Sequence, residues 1–446
     1  MKESRKRCRK WICYILILGM LCPLILSSRN LVSEAASGTW KHNSVGWWYE
    51  YPDGTYVKSA WLKDGGKWYC FDAKGYMMTG WWQIGGKYYY FGTDGAMKTG
   101  WVKVGGNWFF LGKDGVMKTG WLKDGGNWYY FGKGGAMYRS AWLKDSGKWY
   151  FFKANGAMLK ESWLKDGGKT YYFGADGAMV TGWKTISGKQ YYFGTDGARR
   201  TGKVTISGKQ YYFDENGVLD QDRTTLLRAK VGSVVTLGAY EQDNVKENGA
   251  EKIEWIVLDK KDSSLLLLSK YALDNTPFND TIVETAWEDC TLRKKLNGEF
   301  LQGAFTEKES KLIVTTTISR DVNEKYGTTT KKAVKDKIFL LSADEAKKYF
   351  ADDDDHDGQY YGTSLARACR PTEYAKKKGV YTLKYATSQF PETYEKFDGC
   401  CYWWLRTPGK TLKYSVNVSH RGDIYYEGNQ INYIDHAVRP AMWINP

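Results

Sequence analysis

The sequence predicts two structural parts, an N-terminal all-β solenoid of stacked β-hairpins and a C-terminal α+β domain. One segment of 20 or 21 residues recurs nine times between Trp40 and Leu219, most clearly in residues 81–100 and 101–120. A fixed step this short is typical of stacked-repeat architectures. Repetition stops near Asp220, and the remaining residues have the mixed pattern of an ordinary globular domain. The nine copies begin at Trp40, Trp61, Trp81, Trp101, Trp121, Trp142, Trp163, Trp183 and Lys203.

The first residues are predicted to be a secretory signal. A basic stretch (residues 2–10) precedes an apolar run (residues 11–26), and small residues at 33 and 35 favour cleavage after Ala35. A retained membrane anchor is the alternative, but the apolar run is short for a spanning helix. We therefore expect a secreted protein that is not integral to a membrane after cleavage. The predicted boundaries are residues 1–35 for the signal peptide, 38–220 for the repeats, 221–230 for a linker and 231–446 for the α+β domain.

Each copy reads as a β-hairpin. The stretch Asn127–Phe131 is too aromatic and too short for a helix, and glycine pairs bound it on both sides. Asp94-Gly95 and Asp114-Gly115 mark the second turn in other copies. A lone two-stranded hairpin is marginal in water, whereas nine in series can bury their aromatic faces on one another.

The copies carry more aromatic residues than stacking requires. The lead Trp precedes a second aromatic residue by seven positions in each of the first six copies, and successive strand residues face opposite sides. Two rings of one copy and one ring of the next can therefore wall a small box, with a methionine as a soft apolar wall. Such a box favours a quaternary ammonium group, which rests on π-faces and donates no hydrogen bond. The candidate residues are Trp40, Trp47, Trp61, Trp68, Trp81, Tyr88, Tyr89, Trp101, Trp108, Phe109, Trp121, Trp128, Tyr129, Trp142, Trp149, Tyr150, Met97, Met117, Met137 and Met158.

The motif GW…GKWYYF…DGAM resembles the cell-wall-binding, or choline-binding, repeat of Gram-positive surface proteins, over residues 38–219. The resemblance implies that two Trp positions of one repeat and an aromatic residue of the next hold choline on teichoic acids. Carried over here, Trp61 and Trp68 would be closed by Tyr88 or Tyr89. Similar repeats in clostridial toxins and glucan-synthesising enzymes bind sugars instead, which the same rings could stack. The resemblance also implies dimers that form through terminal hairpins.

The last three copies depart from this pattern. Thr170, Gln190 and Gln210 replace the second aromatic residue, Lys203 replaces the lead Trp, and Arg199 replaces the Met. Because the strand aromatics persist, we expect these copies to stack but to lack complete boxes. An interpretation in which every aromatic residue is core explains the retained set but not the lost set.

Charge is unevenly distributed along the chain. Residues 37–220 carry 25 Lys and Arg against 15 Asp and Glu, whereas residues 221–446 carry 33 of each. A basic, aromatic-rich surface suits an anionic polymer such as teichoic acid. No nucleic-acid-binding module is visible, so we expect no nucleic-acid partner.

The segment from Val231 is predicted to be an α+β domain of sufficient size for its own core. Capping boxes at Thr306 and Ser342 predict two helices, and Pro371 and Gly379 bound a third. Strands are predicted over residues 234–240, 254–259, 265–269, 403–406, 414–418, 423–426 and 438–444.

The stretches EWIVLD, WEDCTLRKKLNGEF, DKIFLLSADEAKKYF, WWLRTPG and AVRPAMWI resemble an uncharacterised domain family of secreted proteins from Gram-positive anaerobes. The spacing near the C terminus is also similar to the C-type-lectin-like fold of formylglycine-generating enzymes. Fold alone does not give function. We expect Arg406 and Arg439 to be buried charges that pair with carboxylates rather than ligand-binding residues.

Few residues of the C-terminal domain point to chemistry. His356, His420 and His436 have no recognisable partner pattern, and no catalytic residue or cofactor is predicted. Asp353, Asp355 and Asp357 begin like a calcium loop, but position twelve is Ser364 rather than Glu, so a solvated acidic loop is preferred. Arg421-Gly422-Asp423 is interpreted as a hairpin turn rather than an adhesion motif. Five cysteines remain after the signal, which is not the pattern of a disulfide scaffold but leaves room for one or two bridges.

The sequence thus favours a secreted binding protein, associated with the cell wall, whose repeats display the C-terminal domain. The predicted partner of the repeats is choline-substituted teichoic acid or a cell-wall polysaccharide. Two alternatives stay open: a glycan-binding lectin that uses the same rings, and an envelope enzyme whose C-terminal domain acts on wall polymers through a carboxylate pair.

Overall fold

The computed structural model describes residues 37–352, 363–384 and 392–446, so the predicted signal peptide lies outside it. Two compact units are present. The first extends to Lys184 and includes residues 192–199, and the second comprises residues 185–191 and 200–446. The ninth copy, which begins at Lys203, therefore falls in the second unit. The division between the units lies before Asp220, where the sequence predicted the end of the repeats. No helix among the described residues is long and apolar enough to cross a membrane.

Residues 39–213, all of which are described, form nine antiparallel hairpins, as the repeat pattern predicts. In each hairpin the lead residue begins or lies next to the start of the first strand, and the aromatic run forms the second. The strands are β1 (Thr39–His42), β2 (Trp47–Glu50), β3 (Trp61–Asp64), β4 (Lys67–Cys70), β5 (Gly80–Ile84), β6 (Lys87–Phe91), β7 (Gly100–Val104), β8 (Asn107–Leu111), β9 (Gly120–Asp124), β10 (Asn127–Phe131), β11 (Ala141–Asp145), β12 (Lys148–Phe152), β13 (Ser162–Asp166), β14 (Lys169–Phe173), β15 (Gly182–Ile186), β16 (Lys189–Phe193), β17 (Gly202–Ile206) and β18 (Lys209–Phe213).

Glycine pairs close five of the hairpins and Ser-Gly pairs close three, because both central residues of the two-residue turn have positive φ. Gly125 and Gly126 have φ of 52° and 79° and connect β9 to β10, where Asp124 pairs with Asn127. Two successive positive-φ residues define the turn whose twist matches that of the flanking strands. The register of the strands, and hence the side on which each ring lies, follows from this turn.

Successive hairpins of the first unit are joined by main-chain hydrogen bonds. The amide of Met137 donates to the carbonyl of Trp108 at 2.8 Å, and the amide of Met158 donates to that of Trp128 at the same distance. Each methionine side chain then packs on the turn glycine of the next copy. At Gly135, for example, an added Cβ would lie 2.2 Å from Sδ of Met117. The last aromatic residue of the second strand, such as Phe131, is fully buried and forms the core of the stack.

The C-terminal part has two main sheets with short helices around them. The first sheet has the strand order β19-β20-β21-β31 and the second β22-β30-β27-β28-β29, with β27 and β30 parallel. The strands are β19 (Val234–Tyr240), β20 (Glu251–Lys261), β21 (Ser264–Ser269), β22 (Asp274–Asn275), β23 (Thr316–Ile318), β24 (Val322–Asn323), β25 (Thr328–Thr329), β26 (Val334–Asp336), β27 (Trp403–Pro408), β28 (Tyr414–Val418), β29 (Ile424–Gln430), β30 (Ala437–Val438) and β31 (Ala441–Ile444).

Helices in this part are short. Both predicted capping boxes are confirmed, at Thr306 with Glu309 and at Ser342 with Glu345. The helices are α1 (Gln221–Arg228), α2 (Thr291–Lys295), α3 (Leu301–Ala304), α4 (Glu307–Ser310), α5 (Ala343–Tyr349) and α6 (Glu373–Lys377), with 3-10 turns at Lys246–Asn248 and Glu392–Phe397 and a π turn at Leu296–Phe300. One apolar core, which contains Trp255, Trp287, Trp403 and Trp404, lies between the sheets and helices.

Three sequence-based expectations differ from the structure. The expected linker at 221–230 contains α1, because Asp220 caps the helix through Arg223 N–H and because Leu226 and Leu227 are buried. The predicted helix start at Pro371 is wrong, since Thr372 is the N-cap and its hydroxyl accepts from the amide of Ala375. The predicted strand over 438–444 is interrupted between β30 and β31, which lie in different sheets.

Candidate functional site

The register of each hairpin decides which rings share a face. In the fifth hairpin Lys123 pairs with Trp128 and Trp121 pairs with Tyr130, so these four side chains lie on one face. Tyr129 lies on the opposite face. The lead and second aromatic residues of one copy, here Trp121 and Trp128, therefore stand side by side on one face. Tyr129 points to the other face and does not belong to this pair.

A three-ring box forms between the fifth and sixth hairpins. The rings of Trp121 and Trp128 are 6.2 Å apart between centroids and nearly perpendicular at 86°. Tyr150 of the next copy lies 5.0 Å from Trp121 at 74°. Met158 belongs to the same apolar cluster as Trp121 and Tyr150. The box is therefore walled by two rings of one copy and by a ring and a methionine of the next.

The same arrangement recurs, and we number each box by the copy that supplies its lead Trp. The ring pair of one copy is nearly perpendicular, at 81–86°, and 6.2–6.5 Å apart in boxes 2, 4, 5 and 6. The ring from the next copy lies 4.8–5.1 Å from the lead Trp in all six. With the second ring of boxes 1 and 3 assigned by strand register, the lead, second and closing rings are Trp40, Trp47 and Tyr69; Trp61, Trp68 and Tyr89; Trp81, Tyr88 and Phe109; Trp101, Trp108 and Tyr129; Trp121, Trp128 and Tyr150; and Trp142, Trp149 and Tyr171.

These contacts decide between the two closing residues that the sequence left open for Trp61 and Trp68. Tyr89 contacts Trp61, with centroids 5.1 Å apart, whereas Tyr88 pairs across the strand with Gln83 and is the second ring of box 3. Hydrogen bonds between copies also place the four predicted methionines. The backbone amides of Met97, Met117, Met137 and Met158 each donate to the carbonyl of the second aromatic residue of the preceding copy. They accordingly lie beside boxes 2 to 5.

Four lead tryptophans are held by a carboxylate of the next copy. The indole N–H of Trp101 donates to Asp124 at 2.8 Å, that of Trp121 to Asp145 at 3.0 Å and that of Trp142 to Asp166 at 2.9 Å. Trp40 makes the same bond to Asp64. In boxes 2 and 3 the equivalent positions are Ile84 and Val104. The carboxylate both orients the ring and adds negative charge beside the box.

Copies seven and nine hold cations of the protein itself on their rings. The guanidinium of Arg199 lies 5.9 Å from the centroid of Trp163, where the earlier copies have a methionine. Arg223 lies 3.6 Å over Tyr212 and Arg228 lies 4.0 Å over Tyr211 in the second unit. The ring faces of these copies are therefore used for internal cation–π contacts.

The sequence reasoning missed several residues of the boxes. These are the closing rings Tyr69 and Tyr171, the methionines Met77 and Met179, and the carboxylates Asp64, Asp124, Asp145 and Asp166. The sequence signal for the carboxylates was their constant position three residues after the lead Trp of their own copy. Their partner is the Trp of the preceding copy, which only the stacking direction reveals.

The two buried arginines of the C-terminal part differ. Arg406 donates to Asp321 at 2.8 Å and to Glu345 at 2.5 Å, which confirms the expected pairing with carboxylates. The hydrogen bonds of Arg439 within the described residues instead go to the carbonyls of Ser269 at 2.9 Å and Arg367 at 3.4 Å, and its guanidinium lies 5.0 Å from the Trp403 ring. The expected carboxylate partner of Arg439 is therefore replaced by main-chain oxygens.

Two histidines of the second unit, His420 and His436, lie in an aromatic cluster. His436 is buried, stacks on Trp404 at 4.3 Å and is bonded through Nδ1 to Asp435 at 2.5 Å. This bond lowers the pKa of Asp435. Burial lowers the pKa of His420 to about 4, so that its ring is neutral at physiological pH. Both histidines flank Tyr402 at 5.1 Å.

Other predicted features are structural or lie outside the description. Gly422 has a φ of 84°, and buried Asp423 accepts from Ser419, as expected for a turn. Asp353, Asp355, Asp357 and His356 lie outside the described residues. The cysteines Cys70, Cys290, Cys369, Cys400 and Cys401 are all buried free thiols, so the bridges that the sequence allowed are not formed. Burial raises the pKa of Cys290 to about 12, which leaves that thiol unreactive.

One group of carboxylates was not anticipated. The oxygens of Glu241, Asp243 and Glu251 approach within 4.8 Å of one another. Glu251 accepts from the amide of Gln242 at 2.7 Å, and Asp243 accepts from Val245 and Asn248. Their oxygens are thus used at least partly to hold the loop that follows β19.

Comparison with known families agrees with this geometry. Residues 98–142, 142–181 and 180–219 match the choline-binding repeat, and residues 59–77 and 79–97 match the putative cell wall binding repeat. The N-terminal part of the chain thus consists of choline-binding repeats. Residues 262–446 match a domain of unknown function, DUF6273. No curated protein matches the chain.

Three solved structures with similar repeats are of proteins from Streptococcus pneumoniae. CbpJ is 32% identical, over 39% of this chain and 62% of that chain, with a TM-score of 0.36. Choline-binding protein F, crystallised with a peptidoglycan analogue, is 34% identical over 39% and 61%, with a TM-score of 0.34. The choline-binding domain of CbpL is 28% identical over 42% and 97%, with a TM-score of 0.34. The chain spans less than two thirds of the length of the first two.

Proposed function

We propose that the protein is secreted and anchored non-covalently to choline-bearing teichoic acid, or to another cell-wall polymer, through boxes 1 to 6. The repeats would display the C-terminal α+β domain at the cell surface. The match to choline-binding repeats supports wall binding, and the ring geometry supports choline as the group that is bound. The observation on which the proposal depends is the perpendicular ring pair closed by a third ring.

The geometry favours a compact cation over a sugar. A pyranose stacks on one flat ring face, whereas the perpendicular rings of Trp121 and Trp128 form a corner. A trimethylammonium group is nearly spherical and can contact several faces at once, gaining about 0.5–2 kcal/mol per ring. The carboxylates beside boxes 1, 4, 5 and 6 add attraction for a positive charge.

The later copies support the same interpretation. Arg199 and Arg223 lie over ring faces in copies seven and nine, which supports cation binding by rings of this kind. Since those copies lack the second aromatic residue, they have no complete box to offer an external ligand. We therefore assign ligand binding to copies one to six with the closing residues of the next copy.

The test is a titration of choline into the purified protein, followed by tryptophan fluorescence, with a soluble glucan as the parallel titrant. A saturable response to choline supports the proposal. The double variant Trp108→Ala, Trp128→Ala removes one wall from each of boxes 4 and 5 and should weaken those sites by about threefold to thirtyfold. Trp163→Ala, in copy seven, is the matched control and should bind like the wild type.

A response to glucan without a response to choline would instead make the rings sugar platforms and the protein a lectin. A Trp108→Ala, Trp128→Ala variant that binds choline at the same number of sites and with the same affinities as the wild type would also contradict the proposal.

A further inference from the structure

A row of cationic side chains lies at the mouths of the boxes. Lys103 pairs across the hairpin with Trp108, Lys123 with Trp128 and Lys144 with Trp149. All three lysines are exposed. The ammonium of Lys123 lies 5.9 Å from the Trp128 ring centroid, and that of Lys144 lies 5.8 Å from Trp149. Each lysine thus stands on the same face as the two rings of its own box.

A lysine in this place is unfavourable for a free quaternary ammonium ligand. The two cations would lie over the same ring and repel each other. The lysine is useful, however, if the bound cation carries an anion within a few bonds. The exposed ammonium can then contact that anion while the rings hold the cation.

The carboxylates complete a dipolar arrangement. In box 5 Asp145, from the next copy, is half-buried and bonded to the indole of Trp121, whereas Lys123 is exposed at the second ring. Boxes 4 and 6 repeat this pair with Asp124 and Lys103, and with Asp166 and Lys144. Negative charge therefore lies at the lead ring and positive charge at the second ring.

We propose that Lys103, Lys123 and Lys144 form anion subsites that make boxes 4 to 6 selective for a zwitterion, a choline group esterified to phosphate, over free choline. This inference rests on the proposed function. The ammonium of the ligand lies among the rings near the carboxylate, and its phosphate lies at the lysine.

The first three boxes are internal contrasts. Box 3 has neither charge, with Gln83 in place of the lysine and Val104 in place of the carboxylate. Box 2 keeps Lys63 but has Ile84, and box 1 keeps Asp64 but has His42 opposite Trp47. Only copies four to six present the full pair of charges, so they form a block with its own preference.

The experiment compares phosphocholine with choline by calorimetric titration of the whole protein at moderate ionic strength. The wild type should bind phosphocholine more tightly than choline at three of its sites. The variant Lys103→Gln, Lys123→Gln, Lys144→Gln should lose about two- to fivefold in phosphocholine affinity at these sites, as expected for exposed charge contacts. Its affinity for free choline should stay the same or rise slightly.

The control is the variant Lys113→Gln, Lys133→Gln, Lys153→Gln, which removes the same net charge from turns outside the boxes. It should keep the wild-type ratio of the two affinities. An unchanged ratio in the first variant, or an equal change in both variants, would overturn the anion subsites while choline binding stands. A wild type that binds neither ligand would overturn the proposed function itself.

Discussion

The lead tryptophans combine two roles in one side chain. The ring of Trp121 forms box 5 together with Trp128 and Tyr150, and its indole N–H donates a hydrogen bond to Asp145. A half-buried indole donor without an acceptor would cost free energy, so the carboxylate makes the ring position favourable even in the absence of ligand. The box is thereby formed before a ligand arrives, which limits the ordering that binding would otherwise require.

A residue-scale prediction concerns pH. Burial lowers the pKa of His420 from 6.5 to about 4. Between these values the unfolded chain binds a proton that the folded chain does not, so stability rises with pH and is lost as the pH falls from about 6.5 to about 4. We expect a loss of roughly 1–2 kcal/mol in the free energy of unfolding, allowing for solvent screening at the partly exposed ring.

The measurement is the thermal unfolding temperature at pH 4.5 and pH 7 for the wild type and for His420→Gln. The variant cannot take up this proton, so its unfolding temperature should fall less between the two pH values. An identical fall in both proteins would show that His420 does not contribute to acid sensitivity.

At the scale of the element, the fifth copy has two turns that require glycine for different reasons. One joins the two strands of the hairpin, and the other contacts the methionine of the preceding copy. Both Gly125 and Gly135 have positive φ. The angle is 52° at Gly125, with 79° at its neighbour Gly126, and 76° at Gly135. An added Cβ at Gly125 meets nothing within 4 Å, whereas one at Gly135 would lie 2.2 Å from Sδ of Met117. The first glycine is required only by the backbone, and the second is also required by contact with the preceding copy.

We therefore predict different costs for two alanine substitutions. Gly125→Ala should destabilise the repeats by about 1–2 kcal/mol, the cost of a left-handed conformation with a side chain. Gly135→Ala adds displacement of Met117 and should cost about 2–4 kcal/mol in total. Urea unfolding monitored by tryptophan fluorescence measures both. Equal losses would mean that the methionine moves aside freely and that the contact between copies adds little.

Repetition explains why the hairpins were predictable and other elements were not. The aromatic run and the flanking glycines define strand and turn locally, and the period places each copy on the next. The contact of Tyr89 with Trp61 could not be predicted, because it depends on which face of one hairpin packs on the preceding hairpin. No local sequence pattern shows that face. Helix α1 was missed because its sequence has only two apolar residues, Leu226 and Leu227, which are adjacent and therefore give no helical hydrophobic period. Arg439 was misjudged because main-chain oxygens satisfy a buried guanidinium as well as a carboxylate does.

At the scale of the whole molecule, six weak boxes on one chain can act together on a polymer. Each site alone gains only a few ring contacts, but neighbouring sites 20 or 21 residues apart in sequence can bind successive groups of one polymer. The second and later contacts are then intramolecular, which raises overall retention without a new contact. Free choline at high concentration competes at each site separately and should release the protein from the wall.

Hydrogen–deuterium exchange should show which part of the molecule responds to choline. The amides of Met97, Met137 and Met158 are bonded across copies, and a ligand that contacts both copies stabilises exactly those bonds against local opening. With choline at about 100 times its dissociation constant, opening that releases the ligand should slow by about 100-fold. Strands β19 to β31 contain no box and should exchange at unchanged rates. Protection that appeared in β19 to β31 but not at these methionines would place the choline site in the C-terminal domain and would contradict the assignment to the repeats.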